Sequence, residues 1–539
     1  MTALLKTPCD DAAIRHGAEA TPCTRAAQRW TLVAAILGSS MAFMDGTIVN
    51  VALPAIQHTL HASAADAQWI IESYALFLAA LLLVGGALGD RLGRRRVFVA
   101  GVAIFTFASA LCAAARTADE LVAARALQGI GAALLVPGSL ALLSAGFGQD
   151  ERGRAIGTWS AFSGITAAVG PVVGGFLVDH LSWRWAFVLN VPIGLALAAL
   201  SIAKVPESRG DGGNGPIDFA GASAATLGLA GIVYAMIEAP ARGWSAAVVL
   251  GAGVLGLVAL AAFLAIEARV REPMLPLELF RNRDFSGANL LTLLLYAALG
   301  GGLYFFPLNL IQVQGFSATM AGAALLPFIA IMFALSRWAG SLVDRVGARI
   351  PLVAGPAIAA AGFAAFARPG VDGDYWTGFL PAVCVLGLGM AVTVAPLTTT
   401  VMNAVGPSRA GTASGVNNAV SRAAALLAIA AFGGVLATAF DARLDDALAH
   451  ARLPADTLAT ITAQRHRLGG IELPHGLPEA VAAQAHAAIG EAFVAGFRRV
   501  MMVSAGLAVL SALAAWWMIG GRTPRAVGRA AAADGARPS

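Results

Sequence analysis

Charge is what this chain has least of. Of its 539 residues only 12% are Asp, Glu, Lys or Arg, about half the share that a soluble domain uses to cover its surface. With 58% hydrophobic residues beside it, that shortage excludes a water-soluble enzyme. Lysine is nearly missing: Lys6 and Lys204 are the two present, and neither follows a glycine. A phosphate-binding loop of the GxxxxGK[ST] type, and with it an ATPase module, is therefore excluded. Cysteine is sparse, and Cys9, Cys23, Cys112 and Cys384 have no zinc-like spacing; the last two, inside apolar stretches, read as small buried hydrophobes. The net charge of +5 is spread over short loops, without the clustered, aromatic-interleaved basic face that binds nucleic acid. Residues 1–29 hold Lys6, Arg15, Arg25 and Arg29 but no apolar core or small-residue cleavage site, so no cleaved signal peptide is expected.

What the chain has in abundance is apolar blocks of about 20 residues, the length that crosses ~30 Å of hydrocarbon as a helix. They predict fourteen spans: 30–54, 67–89, 97–116, 119–143, 155–178, 185–203, 217–237, 245–266, 286–310, 319–341, 350–367, 376–400, 411–439 and 499–520. An even number puts both termini on one side. Most basic residues fall in the tails and in the loops of that side, while the short loops of the other side hold Arg116, Arg184, Arg242 and Arg368. The positive-inside rule then predicts a multi-pass membrane protein with both termini cytoplasmic. The polar outer segment 440–490 is expected to form a pair of short helices; its histidines, His450, His466, His475 and His486, lack metal-ligand spacing.

An internal repeat organises the chain. Gly86-Ala-Leu-Gly-Asp90-Arg91-Leu-Gly93-Arg94-Arg95 recurs as Gly340-Ser-Leu-Val-Asp344-Arg345-Val-Gly347-Ala-Arg349, and the same offset takes Gly157 to Gly411 and helix 2 to helix 10. The organisation read from it is a tail at 1–29, a six-helix bundle at 30–203, and a linker at 204–285 carrying two inserted helices within 217–266. A second six-helix bundle at 286–520, with the outer segment 440–490, and a tail at 521–539 complete it. Parallel repeats with a site between them near the midplane are a secondary-transporter architecture.

The stretch from Gly86 to Arg96 resembles the signature between helices 2 and 3 of the major facilitator superfamily, and 340–349 stands where that family keeps its second copy. Leu121, Arg125, Gln128, Gly129 and Gly131 resemble its helix 4 motif. Gly157, Gly170, Pro171, Gly174 and Gly175 resemble the helix 5 motif of its antiporters, with Thr166 where glycine is usual. Asp45-Gly-Thr-Ile-Val-Asn50-Val-Ala-Leu-Pro54 resembles the helix 1 signature of the fourteen-helix drug:proton antiporters of the EmrB/QacA type. The resemblance covers essentially the whole chain, most weakly in the tails and in 440–490. It implies an all-α integral membrane fold, the major facilitator fold of two six-helix bundles plus two inserted helices. It also implies proton-coupled export of drugs, the activity behind multidrug efflux and antibiotic resistance.

Physical reasons stand beside the resemblance. Gly93 permits a tight turn, and Arg91, Arg94 and Arg95 hold that turn at an anionic inner surface. Asp90 either pairs with those arginines or sits at the N-terminus of helix 13 near Gly411, locking the halves on the cytoplasmic side. With Gly86, Asp344 and Arg345, these residues are the expected conformational gate. Gly170 and Gly174 make a small-xxx-small face and Pro171 frees a carbonyl, so close packing and a bend are expected, either as packing alone or as a seal against proton leak.

Five charges fall inside spans and clear of their end residues: Asp45, Glu72, Arg125, Arg337 and Arg422. At mid-bilayer each costs at least ~2.5–3.5 kcal/mol, so a retained charge faces a cavity or a partner. Arg337 is near enough to a helix end to snorkel, and Arg422, following Asn417 and Asn418, is expected to make a polar contact between the halves. Asp45, Glu72 and Arg125 share the outer half of one bundle, and no histidine lies within a predicted span. The two carboxylates are thus the proton carriers available, since a carboxylate that moves between apolar surroundings and an arginine takes up and releases a proton. Asp45 is the first choice; Glu72 carries a proton or recognises a cationic substrate; a static Asp45/Glu72–Arg125 network is the alternative. Asn50, Trp69, Tyr74, Gln128, Trp159, Phe162 and Arg422 are candidate walls of a pocket for a flat lipophilic molecule, each with packing or lipid contact as its plainer role.

The expected activity is export driven by the proton-motive force, with no cofactor and no enzymatic step. One charge moving through ~150 mV yields about 3.5 kcal/mol, enough for a gradient of roughly two to three decades. A same-fold exporter of one metabolite or siderophore is the alternative. A polytopic membrane enzyme or channel is remote: Asp445-Asp446 is an isolated pair rather than an acidic cluster beside a span, and no charge ring or repeated filter segment occurs. The expected partners are lipophilic small molecules, protons and membrane lipid, not nucleic acid. A periplasmic adaptor and an outer-membrane channel would be needed only to carry substrate across a second membrane.

Overall fold

The computed structural model describes residues 24–147, 149–209, 218–270, 273–371, 373–405, 410–451, 453–474 and 476–520, and among them fourteen helices are long and apolar enough to cross a membrane. The first half comprises α1 (Arg25–Leu60), α2 (Ala64–Leu92), α3 (Arg94–Ala114), α4 (Ala118–Gly146), α5 (Gln149–His180) and α6 (Trp185–Lys204). The inserted pair is α7 (Phe219–Arg242) and α8 (Ala247–Glu267). The second half comprises α9 (Arg283–Gln312), α10 (Ala318–Ala323 continuing as Leu326–Val346), α11 (Arg349–Phe366), α12 (Tyr375–Asn403), α13 (Ala410–His450) and α14 (Glu479–Met518).

Local signals account for many of the ends. Thr24 accepts the Ala27 N–H to start α1, Ser63 and Asp66 form a reciprocal capping box at α2, and Thr117 caps α4 ahead of Asp119 and Glu120. The segment 440–490 is not a pair of short helices. α13 runs on to His450 and α14 begins at Glu479, with one short helix (Ala455–Ala463) and a 3-10 turn (Arg465–Gly470) between them. Hydropathy marks where hydrocarbon ends, whereas the helix ends where its apolar stripe loses its packing. Phe440 and Leu444 still pack into the core beyond the apolar window, and so do Ala485, Ile489 and Phe493 before the last one.

One apolar core runs from the first half into the second, and a further cluster lies within the first half; α7 lies against α2 and α13 with α8 outside it. α8 is nearly all apolar and mostly exposed, the surface expected of a helix solvated by lipid. Thr24 and Gly520 mark one end of the bundle, here the near end; the turn at His61–Ser63 marks the far end. Far-end contacts join the halves. Gln57 accepts a hydrogen bond from Gln312 at 3.0 Å, Gln68 donates to the Ile429 carbonyl at 2.8 Å, and Asp179 accepts the Ala318 and Thr319 N–H groups at 3.0 and 2.8 Å. On the near half of α5, by contrast, a Cβ built at Gly157 or Gly164 would meet nothing within 4 Å. Among the described residues the hydrogen bonds between the halves close the far end, and none joins them at the near end.

Candidate functional site

Asp45 stands near the middle of α1 and is fully buried. Arg125 lies two turns into α4, where Gly129 lets α2 approach so closely that a Cβ there would stand 2.5 Å from the Tyr74 carbonyl. The two side chains form an ion pair through Arg125 Nη1 and Asp45 Oδ2. Arg125 also donates to Gln128 Oε1 at 2.6 Å and, through Nε, to the Ile70 carbonyl at 3.1 Å. The other carboxylate oxygen, Oδ1, accepts from Gln128 Nε2 at 2.8 Å and from Asn190 Nδ2 at 2.9 Å. Asn190 stands in the first turns of α6 and reaches Asp45 across 145 residues of sequence. The Tyr74 ring covers the guanidinium at 4.3 Å and donates its hydroxyl to the Ala42 carbonyl at 3.2 Å. Asp45 thus has three donors, a charge-assisted set of the strong kind.

Glu72 is placed differently. It is 0% exposed, and neither carboxylate oxygen has a hydrogen-bond partner. It lies one helical turn from Gln68, whose amide bonds α13, and one turn from Leu76, which packs with Leu426 and Ala430 of α13. Tyr304 of α9 is within electrostatic range. Glu72 therefore belongs to the contact between the halves, not to the Asp45–Arg125 cluster that the sequence grouped it with. The structure separates the three residues into an ion pair inside one half, its carboxylate held by three donors, and an unpartnered acid at the seam.

α5 serves both contacts. Gly170 and Gly174 face α1, where added Cβ atoms would stand 2.3 Å from Thr47 Oγ1 and 2.8 Å from Ile48 Cγ2, one turn beyond Asp45; Gly175 faces the other half, 2.3 Å from the Ala318 carbonyl. Small residues here set how closely the two halves approach.

At the near end, Gly93 makes the turn with φ +110°, a conformation that favours glycine. Asp90 accepts from Arg94 Nε at 2.9 Å, as in the first of its two readings. The sequence reading missed what holds the turn from the other side. Glu207, beyond the end of α6, accepts the Arg95 N–H at 3.0 Å and faces Arg95 and Arg96 at 3.6 Å each, and the Ser208 carbonyl accepts the Arg94 N–H at 2.8 Å. An acid directly after the last turn of a helix, on the side rich in arginine, was the available signal.

The remaining pocket residues scatter. Trp69 turns toward the inserted pair, donating to Glu238 at 3.3 Å and lying against Tyr234 of α7. Trp159 donates to Ser39 Oγ at 2.9 Å, and Asn50 Nδ2 lies 3.5 Å from the Gly46 carbonyl of its own helix. Phe162 is half exposed on the open part of α5. Arg422 of α13 has no described hydrogen bond and lies within electrostatic range of Tyr74, across the gap between the halves. Asn417 stays within its own half, bonding Asn289 and Thr292. The side chains of Arg337 and Asp344, the tails 1–23 and 521–539, and His475 lie outside the described residues.

Two six-helix bundles and an inserted pair, with buried charges inside one bundle and at the seam, define a polytopic membrane protein of the secondary-transporter kind. The chain belongs to the Major Facilitator Superfamily, whose family model matches residues 35–429. It is 33% identical over 503 residues to the multidrug resistance protein Stp of Mycobacterium tuberculosis (strain CDC 1551 / Oshkosh), covering 91% of each chain. It is 32% identical over 488 residues to the tetracenomycin C resistance and export protein of Streptomyces glaucescens, covering 90% of each. To the puromycin resistance protein pur8 of Streptomyces alboniger it is 37% identical over 433 residues, 80% of this chain and 85% of that one. Among solved structures, a bacterial homologue of the human lysosomal transporter Spinster superposes with a TM-score of 0.61 at 18% identity, covering 92% of this chain and 97% of that one.

Proposed function

We propose that this protein exports lipophilic drugs or toxic compounds from the cytoplasm in exchange for protons, by alternating access between its two halves. The relatives named for drug resistance and export support the substrate class. The observation that carries the coupling is the contrast between two buried carboxyls: Asp45 with three donors and Glu72 with none. A carboxylate anion buried without a donor costs several kcal/mol, so in this proposal Glu72 enters the far-closed state carrying its proton. Asp45 stays paired with Arg125 until substrate or a conformational change disturbs that pair. The energy source is the proton-motive force, with no cofactor and no enzymatic reaction.

The near end is assigned to the cytoplasm of a bacterial inner membrane, because Arg91, Arg94, Arg95, Arg96, Lys204 and Arg209 gather there. In the near-closed state Asp90 would exchange Arg94 for the N-terminus of α13, the second of its two readings. A periplasmic adaptor and an outer-membrane channel would extend the path across a second membrane.

The test is substrate-dependent proton movement in proteoliposomes under an imposed pH gradient, with wild type, Asp45→Asn and Glu72→Gln. Flux triggered by several unrelated lipophilic compounds, and lost in either variant, is expected. Flux with none of them, in folded protein, would reject broad drug export and turn the search to one dedicated metabolite.

A further inference from the structure

A cavity of about 560 Å³ lies at the far end, outside the Asp45 cluster. Its walls come from the start of α2, the last turns of α7, α9, α13 and the turn that carries Arg465 and Arg467. Gln68 and Tyr304 line it, and both are buried. Glu72 lies one turn beyond Gln68, about 6 Å deeper along α2. Between the cavity wall and the seam carboxyl lies the Gln68 contact to Ile429.

The apolar part of the lining is supplied by Ile237, Phe305, Leu308 and Phe493. Most of its charged groups are already engaged. Asp66 belongs to the Ser63 capping box, Glu238 is held by Trp69 and by Arg242 at 2.7 Å, Arg465 by Asp445 at 2.8 Å, and Arg467 by Glu472 at 3.2 Å. Asp441 is different. This half-buried carboxylate lines the cavity with no hydrogen bond or ion pair among the described residues, and the one arginine within electrostatic range, Arg465, is given to Asp445. The lining holds three arginines, Arg242, Arg465 and Arg467, and three acids, Asp66, Glu238 and Asp441, and of these Asp441 alone has no partner among the described residues, beside an apolar and aromatic wall. That combination suits a bulky organic cation, whose body is desolvated by the wall and whose charge needs one acceptor.

We infer that this cavity is a far-face binding site for an amphipathic organic cation, occupied on the way out, with Asp441 as the acceptor of its charged group. The inference rests on the exporter reading and adds to it both a substrate class and a second station. A cation released at the seam when Gln68 parts from Ile429 would meet Asp441 next.

The test uses the full chain in lipid nanodiscs and a photoreactive arylalkylammonium cation, whose N–H groups can donate to a carboxylate, with the labelled peptides mapped by mass spectrometry. Labelling is expected in Ile237–Arg242 and around Phe493. It should fall at least about tenfold in Asp441→Asn, the scale of one charge-assisted hydrogen bond, and return in Asp441→Glu. A neutral aryl analogue of the same shape should label these peptides no better than the Asp441→Asn protein is labelled by the cation. Thermal unfolding of each variant shows that its fold is kept. Labelling of the cavity peptides that Asp441→Asn leaves unchanged overturns the inference. So does a cation that drives proton flux in proteoliposomes yet labels only residues of the near half, and there the exporter reading survives. A cation that labels neither region and drives no flux sinks both.

Discussion

Gly322 of α10 stands directly against the backbone of α5: a Cβ built at Gly322 would lie 2.1 Å from the Pro171 carbonyl oxygen. Neither partner is the end of a flexible side chain, so no rotamer change relieves an added methyl. The far-closed state depends on this approach and on its neighbour, Gly175 against Ala318.

Gly322→Ala should therefore bias the molecule away from far-end closure. Overpacking of this kind costs ~1–3 kcal/mol, which lowers the far-closed population about 5- to 150-fold. Spin labels at the exposed positions Leu181 and Met320 would report it as a shift to longer distances in double electron–electron resonance. An unchanged distance distribution would show that closure does not depend on this contact.

Asp45→Asn removes the counter-charge from a fully buried guanidinium. Breaking a buried pair in this way costs ~3–5 kcal/mol, so the variant should unfold earlier on heating in detergent. Asp45→Asn combined with Arg125→Gln should be less destabilised than the sum of the two single changes, because the stranded charge is gone. Additive losses would show that the two side chains act independently.

Glu72→Gln makes the opposite prediction for stability. Glu72 has no partner to lose, and glutamine matches the shape of the neutral acid, so unfolding should change by less than about 1 kcal/mol. Transport should nevertheless lose its dependence on the pH gradient. A variant that both folds normally and keeps gradient-driven export would remove Glu72 from the coupling.

Gly93→Ala combines a strained φ of +110° with a Cβ 2.8 Å from the Glu207 carboxyl carbon. A cost of ~1–2 kcal/mol from the backbone alone is expected, and Glu207 must also withdraw from the turn. Hydrogen exchange at the Arg95 amide, which Glu207 accepts, should speed up in Gly93→Ala and in Glu207→Ala. Unchanged protection in Glu207→Ala would mean that the helix geometry, not this carboxylate, holds the turn.

Much of the site was legible residue by residue. Asp45, Arg125 and Gln128 stand out in the sequence as polar groups inside apolar spans, and they do meet. Asn190 carries the same signal, a polar group inside the 185–203 span, but belongs to no recognisable motif. Trp69 was read as a pocket wall but faces Glu238 and Tyr234 of α7. Hydropathy locates a helix in the membrane without saying which neighbour each face meets.

The sequence by itself determined the number of crossings, the duplicated turn and the presence of charges where hydrocarbon makes them costly. These depend on composition over about 20 residues, which local physics reads without knowledge of the rest of the chain. Only the tertiary structure decided that Asp45 has three donors while Glu72 has none, and that the described hydrogen bonds joining the halves lie at the far end. The partners that decide it are distant: Arg125 lies 80 residues from Asp45, Asn190 145, and the Gln68–Ile429 contact spans 361. Spacing along a helix fixes the face on which a side chain stands, but which helix stands opposite that face is set by the packing of the whole bundle.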